Sequence, residues 1–123
     1  MKIVESFLVF FYILDQGYFF PLEENDLGGF LGVISPELWG DGLPIDVAIF
    51  YDWRKNIISK KIDEKNIIET AYDFLSYYEK EYGYDFTKTK QWLITTANKE
   101  VVKKAIQKSE IMYQKYDYYN LDK

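Results

Sequence analysis

Cysteine and histidine are both absent from the 123 residues. Without cysteine there is no disulfide, no thiolate nucleophile and no thiolate metal site. Without histidine, the Ser-His-Asp triad, the Cys-His pair, the HExxH zinc centre and imidazole acid–base catalysis all fall away. The few glycines do not form GxGxxG or GxxxxGK[ST], so no phosphate cradle is supported. A long apolar run is missing too. Phe7 to Leu14 gives only eight consecutive apolar residues, bounded by Glu5 and Asp15, where a membrane-spanning helix needs about 20. Glu5 and the bulky Tyr18-Phe19-Phe20 do not suit a signal peptide with a basic start and a small-residue cleavage site. The expectation is a soluble, cytoplasmic protein with no membrane or cofactor partner. Only carboxylate, lysine, tyrosine and serine/threonine chemistry is left, and the favoured reading is a protein that is not an enzyme.

Aromatic side chains are abundant instead, with twelve tyrosines, nine phenylalanines and an overall hydrophobic fraction of 48%. That is ample for the core of one domain of about 100–150 residues and argues against global disorder. The net charge of −5 is unevenly spread. Residues 1–54 carry nine acids and two bases, whereas residues 86–123 carry four acids and eight bases. An acidic front half repels phosphate and argues against nucleic acid as a partner. It favours a cationic protein, whose approach it would steer, and it also serves solubility whatever the partner.

The organising stretch is LGGFLGVISPELWGDGLPIDVAIFYDW, Leu27 to Trp53, with five of the seven glycines and two of the three prolines. Gly28 and Gly29 read as the end of a turn or a close backbone approach. Leu38 to Gly42 reads as a compact loop of residues that tolerate φ > 0. Pro44 suits the first position of a helix, and Asp46 its first turn, where a carboxylate meets unpaired N–H groups. Phe50, Trp53 and Ile57 form one helical stripe. The residues Leu31-Gly32, Asp41-Gly42, Pro44, Asp46, Ala48 and Asp52-Trp53 spell L-G, a short loop, then D-G-x-P-x-D-x-A-x-x-x-D-W.

That pattern resembles one in small bacterial immunity proteins, which accompany polymorphic toxins including those of contact-dependent growth inhibition. The apolar helix ahead of the motif (Phe7 to Tyr12) and the segment Ala71-Tyr72, Phe74-Leu75, Tyr77-Tyr78 behind it are similar as well, so the likeness covers roughly residues 1–85. The chain departs from the family in having Asp46-Val47-Ala48 where Asp-Pro-Ala is commoner, and Phe50 where tryptophan is commoner. The resemblance implies a helical fold in which Gly32, Asp41, Gly42, Pro44, Asp46, Asp52 and Trp53 form the structural motif. It also implies an antitoxin that binds and occludes a cognate toxin domain, of nuclease type given the acidic surface.

Along the chain, residues 3–20 are apolar on every side, so periodicity does not separate a buried helix from a buried strand. β-branched and aromatic content leans to strand, length leans to helix, and the resemblance decides for helix. Pro21 forbids its continuation. Asn25 or Asp26 can cap a short helix to Val33. Further helices are expected over 44–58 and over 64–82, the latter capped by Asp63 and ended by Gly83. Ile67, Ile68, Ala71, Phe74, Leu75 and Tyr78 form its stripe. Thr87 or Thr89 can cap the next helix. Asn98 can cap a last one, with Lys99, Lys103 and Lys104 on its solvated face and a tyrosine-rich tail behind. The expected architecture is a single all-α domain, 1–123, an irregular bundle of about four helices joined by a Gly/Pro-rich loop.

Glu37, Asp41, Asp46 and Asp52 lack any metal-binding spacing; Asp46 and Asp52, six apart, point away from a common face. The simpler roles are a helix cap for Asp46 and, for Asp52, a bond to a loop N–H or to the surroundings of Trp53. The expected partner-binding residues are Glu23, Glu24, Asp26, Glu37 and Asp41, with Tyr18 and Trp39 as aromatic contacts. The rival from another class is a non-catalytic structural or regulatory helical domain, a homodimer using its tyrosine-rich C-terminal helix.

Overall fold

The computed structural model describes residues 1–18, 24–38, 47–115 and 122. Among them are six α-helices: α1 (Ile3–Tyr18), α2 (Asn25–Ile34), α3 (Val47–Ile57), α4 (Ile67–Tyr82), α5 (Thr87–Thr95) and α6 (Lys99–Lys115). A single 3₁₀ turn, Pro36–Leu38, follows α2. No strand occurs among the described residues. The all-α expectation therefore holds, but six helices replace the expected four.

Two local effects account for the difference. The front of the organising stretch forms the short helix expected to Val33 as a full element: Leu27, Phe30, Leu31 and Ile34 are buried, an i, i+3, i+4, i+7 stripe whose burial outweighs the poor helix propensity of Gly28, Gly29 and Gly32. Further on, the Thr95-Thr96-Ala97 break leaves three residues outside helix between α5 and α6. The middle of the stretch, with Trp39, Asp41, Gly42, Pro44 and Asp46, lies outside the described residues.

α1 is the hub, packing against each of the other five helices. Every residue from Phe7 to Leu14 is buried. Each fully buried large apolar side chain contributes about 1.5–3 kcal/mol, several times the helix-propensity penalty of about 0.5 kcal/mol for a phenylalanine or valine. Burial therefore decides the helix–strand ambiguity. On α3, Phe50, Trp53 and Ile57 face inward as the stripe predicts. Phe10 stacks on Trp53 with ring centroids 4.6 Å apart, and Phe74 of α4 meets both edge-on, at 5.4 and 5.1 Å. Such pairs add about 0.5–1.5 kcal/mol beyond their burial. The indole Nε1 of Trp53 donates to Ser6 Oγ at 3.0 Å, and that hydroxyl donates to Ile3 O. No buried side-chain polar atom among the described residues lacks a partner.

α1 and α6 run antiparallel. At one end Gln16 Nε2 donates to Val101 O at 2.9 Å. At the other, Asp122 Oδ1 accepts from Val4 N at 2.8 Å and its Oδ2 accepts from Tyr113 OH. A carboxylate thus sits on the positive end of the α1 dipole.

Several helix ends follow their local signals. Asp63 Oδ1 accepts from Lys65 N and Asn66 N, capping the turn that leads into α4. Gly83 ends α4 at φ 74° with its N–H on Glu79 O. Asn98 Oδ1 accepts from Glu100 N and Val101 N, capping α6.

Phe10→Ala removes the ring shared by Trp53, Phe30 and Phe74 and should cost about 3–5 kcal/mol. Ile111→Ala, at an exposed position of α6, should stay within about 0.5 kcal/mol. Urea denaturation of both variants, comparing midpoints at constant slope, measures the contrast.

Candidate functional site

Two of the expected interface acids hold the fold together. Glu24, just ahead of α2, reaches the start of α5: Oε2 accepts from Lys88 N at 2.8 Å, and Oε1 from the buried Thr89 hydroxyl at 2.6 Å and from Thr89 N at 3.3 Å. Asp26 Oδ2 accepts from Asp85 N at 2.7 Å. Glu79 Oε2 takes Phe86 N, while its Oε1 pairs with Lys90. Asp85 Oδ1 takes both the N–H and the hydroxyl of Thr87. The N–H groups opening α5 are therefore satisfied by four carboxylates, two of them about 60 positions away in sequence. The expectation that Thr87 or Thr89 caps this helix is corrected. Both threonine hydroxyls are donors to acids, not acceptors of the helix N–H groups.

Of the other expected contact residues, Tyr18 is exposed at the end of α1. Its hydroxyl lies 2.9 Å from where a Cβ on Gly28 would stand, so Gly28 is a close approach inside a helix. Glu37 is exposed in the 3₁₀ turn, near enough to Asp15 for their charges to interact. Burial raises Asp15 above the ordinary carboxylate range, against the pull of Lys108 and with a push from Glu37. Glu23, Trp39 and Asp41 lie outside the described residues.

The structure brings together a set of side chains that sequence spacing does not reveal. An open cup of about 260 Å³ is lined by Ala48, Ile49, Asp52, Tyr78, Tyr82 and Tyr84. α3 supplies the carboxylate: Ala48 and Asp52, one turn apart, flank the buried Ile49/Trp53 side. α4 supplies Tyr78 and Tyr82, also one turn apart, beside its Phe74/Leu75 stripe. Tyr84 follows the left-handed Gly83, which turns the chain back over the cup. Tyr78 OH donates to Asp52 Oδ2 at 2.7 Å and Tyr82 OH to the same oxygen at 3.2 Å. The expectation that Asp52 bonds a loop N–H is thus replaced by two phenols of the neighbouring helix. The Tyr78 ring lies 4.7 Å from that of Tyr82 and 5.8 Å from that of Tyr84, centroid to centroid. Asp52 raises the pKa of the exposed Tyr82 phenol, first through its negative charge. Among the described residues no lysine or arginine pairs with Asp52.

A second depression, broader at about 990 Å³, lies where α4 begins and α5 meets α6. Ile68, Leu93 and Ile94 give it an apolar floor, and Lys65, Lys99 and Lys103 border it together with Glu64 and Glu100. Among the described residues no group of three or more potential metal-ligating side chains gathers, and no helix is long and apolar enough to cross a membrane.

No protein-family model matches the chain, and neither the curated proteins nor the solved structures include one similar to it.

Glu24→Ala leaves the Thr89 hydroxyl and two N–H groups without their acceptor and should cost about 2 kcal/mol; a thermal melt beside wild type reads the loss. The titration of Asp15 gives an opposite effect. A carboxyl whose folded-state pKa is raised contributes stability in full below its unfolded value of about 3.9, and loses it as pH rises through the folded one. Asp15→Asn should therefore raise the melting temperature at pH 7, with the gain vanishing by about pH 3. Melts across that range check both the sign and the window. Asp85, lowered by its bonds to Thr87, runs the other way: its contribution is present above about pH 3.9 and is lost as pH falls through the folded value.

Proposed function

We propose that the protein is an immunity protein, an antitoxin that binds a cognate, cationic, nuclease-type toxin domain and covers the surface with which that domain holds its substrate. Binding alone accomplishes this, and no covalent step is needed. A nuclease presents basic side chains because it binds phosphate. An acidic protein that competes for those side chains excludes nucleic acid from them.

The observation that carries the reading is the Asp52 carboxylate, half-buried among tyrosines with no cationic partner among the described residues. It stands on the half of the chain that holds nine acids against two bases. The resemblance of Leu31-Gly32 through Asp52-Trp53 to immunity proteins points the same way. Glu24 and Asp26 contribute indirectly, since their carboxylates fix α2 against α5 and so hold Glu37 and the 3₁₀ turn in place. Glu37, Tyr18 and the rim of the cup are the contact residues, together with Glu23, Trp39 and Asp41 of the flanking segments.

The test is to mix the purified chain with the toxin domain encoded by the adjacent upstream gene and to follow association at two salt concentrations. A stoichiometric complex should form, with nuclease activity suppressed and association slowing as salt rises. Glu37→Lys should slow association several-fold and leave dissociation nearly unchanged, the signature of a rim charge. A turnover reaction by the chain itself, or a complex formed solely through the lysine-bordered groove of α5 and α6, overturns the reading.

A further inference from the structure

The Asp52 cup has a more specific chemistry than general acidity. Three tyrosine rings and one carboxylate converge on about 260 Å³, space for roughly eight waters at about 30 Å³ each. Both phenolic donors converge on Oδ2 and neither takes Oδ1, while Asp52 lines the cup. A carboxylate attracts a cation, and tyrosine faces attract it again through their quadrupoles. The chain's own lysines use tyrosine faces in this way elsewhere: Lys90 sits 5.1 Å from the Tyr72 ring centroid and Lys108 5.9 Å from that of Tyr12. Neither serves the cup, and Asp52 has no cationic partner among the described residues. The rings also favour a flat cation over a compact one. A guanidinium is planar, weakly hydrated and able to stack on one ring while its N–H edge meets Oδ1, whereas an ammonium is a strongly hydrated point charge.

We infer that the cup formed by Asp52, Tyr78, Tyr82 and Tyr84 is an arginine-binding subsite that receives one guanidinium side chain from the partner protein. The inference deepens the immunity reading and rests on it for the identity of the partner, but the chemistry of the cup can be measured without that partner. On binding, the guanidinium occupies Oδ1 and stacks against Tyr84, and Tyr82, 56% exposed, closes over the stem.

The test is an NMR titration of the full chain with N-acetyl-arginine amide, following the tyrosine ring resonances, with N-acetyl-citrulline amide as the neutral isostere. The arginine compound should shift the rings of Tyr78, Tyr82 and Tyr84 with saturation, and citrulline should bind at least about tenfold more weakly. Asp52→Asn keeps a carbonyl oxygen to accept the two phenols, so the fold should persist while arginine binding falls about tenfold or more. Tyr84→Leu, which leaves the Asp52 bonds intact, should weaken it several-fold through loss of one ring face. Equal shifts from arginine and citrulline on the wild-type chain, or ring shifts absent up to saturation of the probe, overturn the subsite. The two readings fail separately. A toxin domain bound equally well by wild type and Asp52→Asn retires the subsite and leaves immunity standing. A cup that selects arginine over citrulline in a chain that binds no toxin domain supports the subsite and retires immunity.

Discussion

A helix that is apolar on every face has no stable place at a surface, and α1 is such a helix. Val4, Phe7 to Leu14 and Gly17 are all buried, so neighbours must enclose it on all sides. The other helices are amphipathic, and each turns its apolar stripe towards α1 or towards a helix already packed on it. Trp53 shows how tightly this fixes the rest. It is fully buried, stacked on Phe10, edge-on to Phe74 and hydrogen-bonded to Ser6. Once Trp53 is seated, the rotation of α3 about its own axis is set. Asp52, its sequence neighbour, is then forced to the border of the core, where Tyr78 and Tyr82 of α4 meet it.

Helix termini supply a second constraint. A helix buried against others still has unpaired N–H groups at its start, and its own sequence need not supply the acceptors. α5 opens with Thr-Lys-Thr-Lys and no acid in its first turn. Its acceptors arrive from Asp85 just before it, Glu79 on α4, and Glu24 and Asp26 beside α2. α1 likewise draws on Asp122 from the far end of the chain. The acidic excess of the front half is therefore partly internal wiring, which binds α2 to α5 across a long stretch of sequence.

How much of this is legible in the sequence depends on the range of the interaction. Asp63, Gly83 and Asn98 act within a few residues, and their spacing identified them as helix ends. The stripes of α3 and α4 are local periodicity, and Phe50, Trp53, Ala71 and Phe74 are buried as the patterns predict. α2 is legible as a short helix, because its 27/30/31/34 stripe outweighs the poor propensity of its glycines. α1 was not decidable from its own residues, since strand-favouring side chains become helical only when other helices surround them. The carboxylate clasp of Glu24 on α5 left no local trace at all. The cup lies between these cases. Positions 48 and 52 on one helix, and 78 and 82 on another, are each one turn apart and flank buried stripes, but nothing in the sequence states that α3 and α4 adjoin at that edge.

The contrast between the internal acids and Asp52 bears on which surface meets a partner. Removing Glu24 or Asp26 from its backbone N–H groups would unpair the start of α5, so a cation competing for those oxygens works against the fold. At Asp52 the competing donors are two phenols, one of them on the exposed Tyr82. A neutral hydrogen bond contributes about 0.5–1.5 kcal/mol net, and one to a charged group about 1.5–3. A guanidinium that takes Oδ1 need not displace either phenol, and it gains ring contacts as it enters. At Asp52 an incoming cation therefore adds to the existing bonds instead of replacing them.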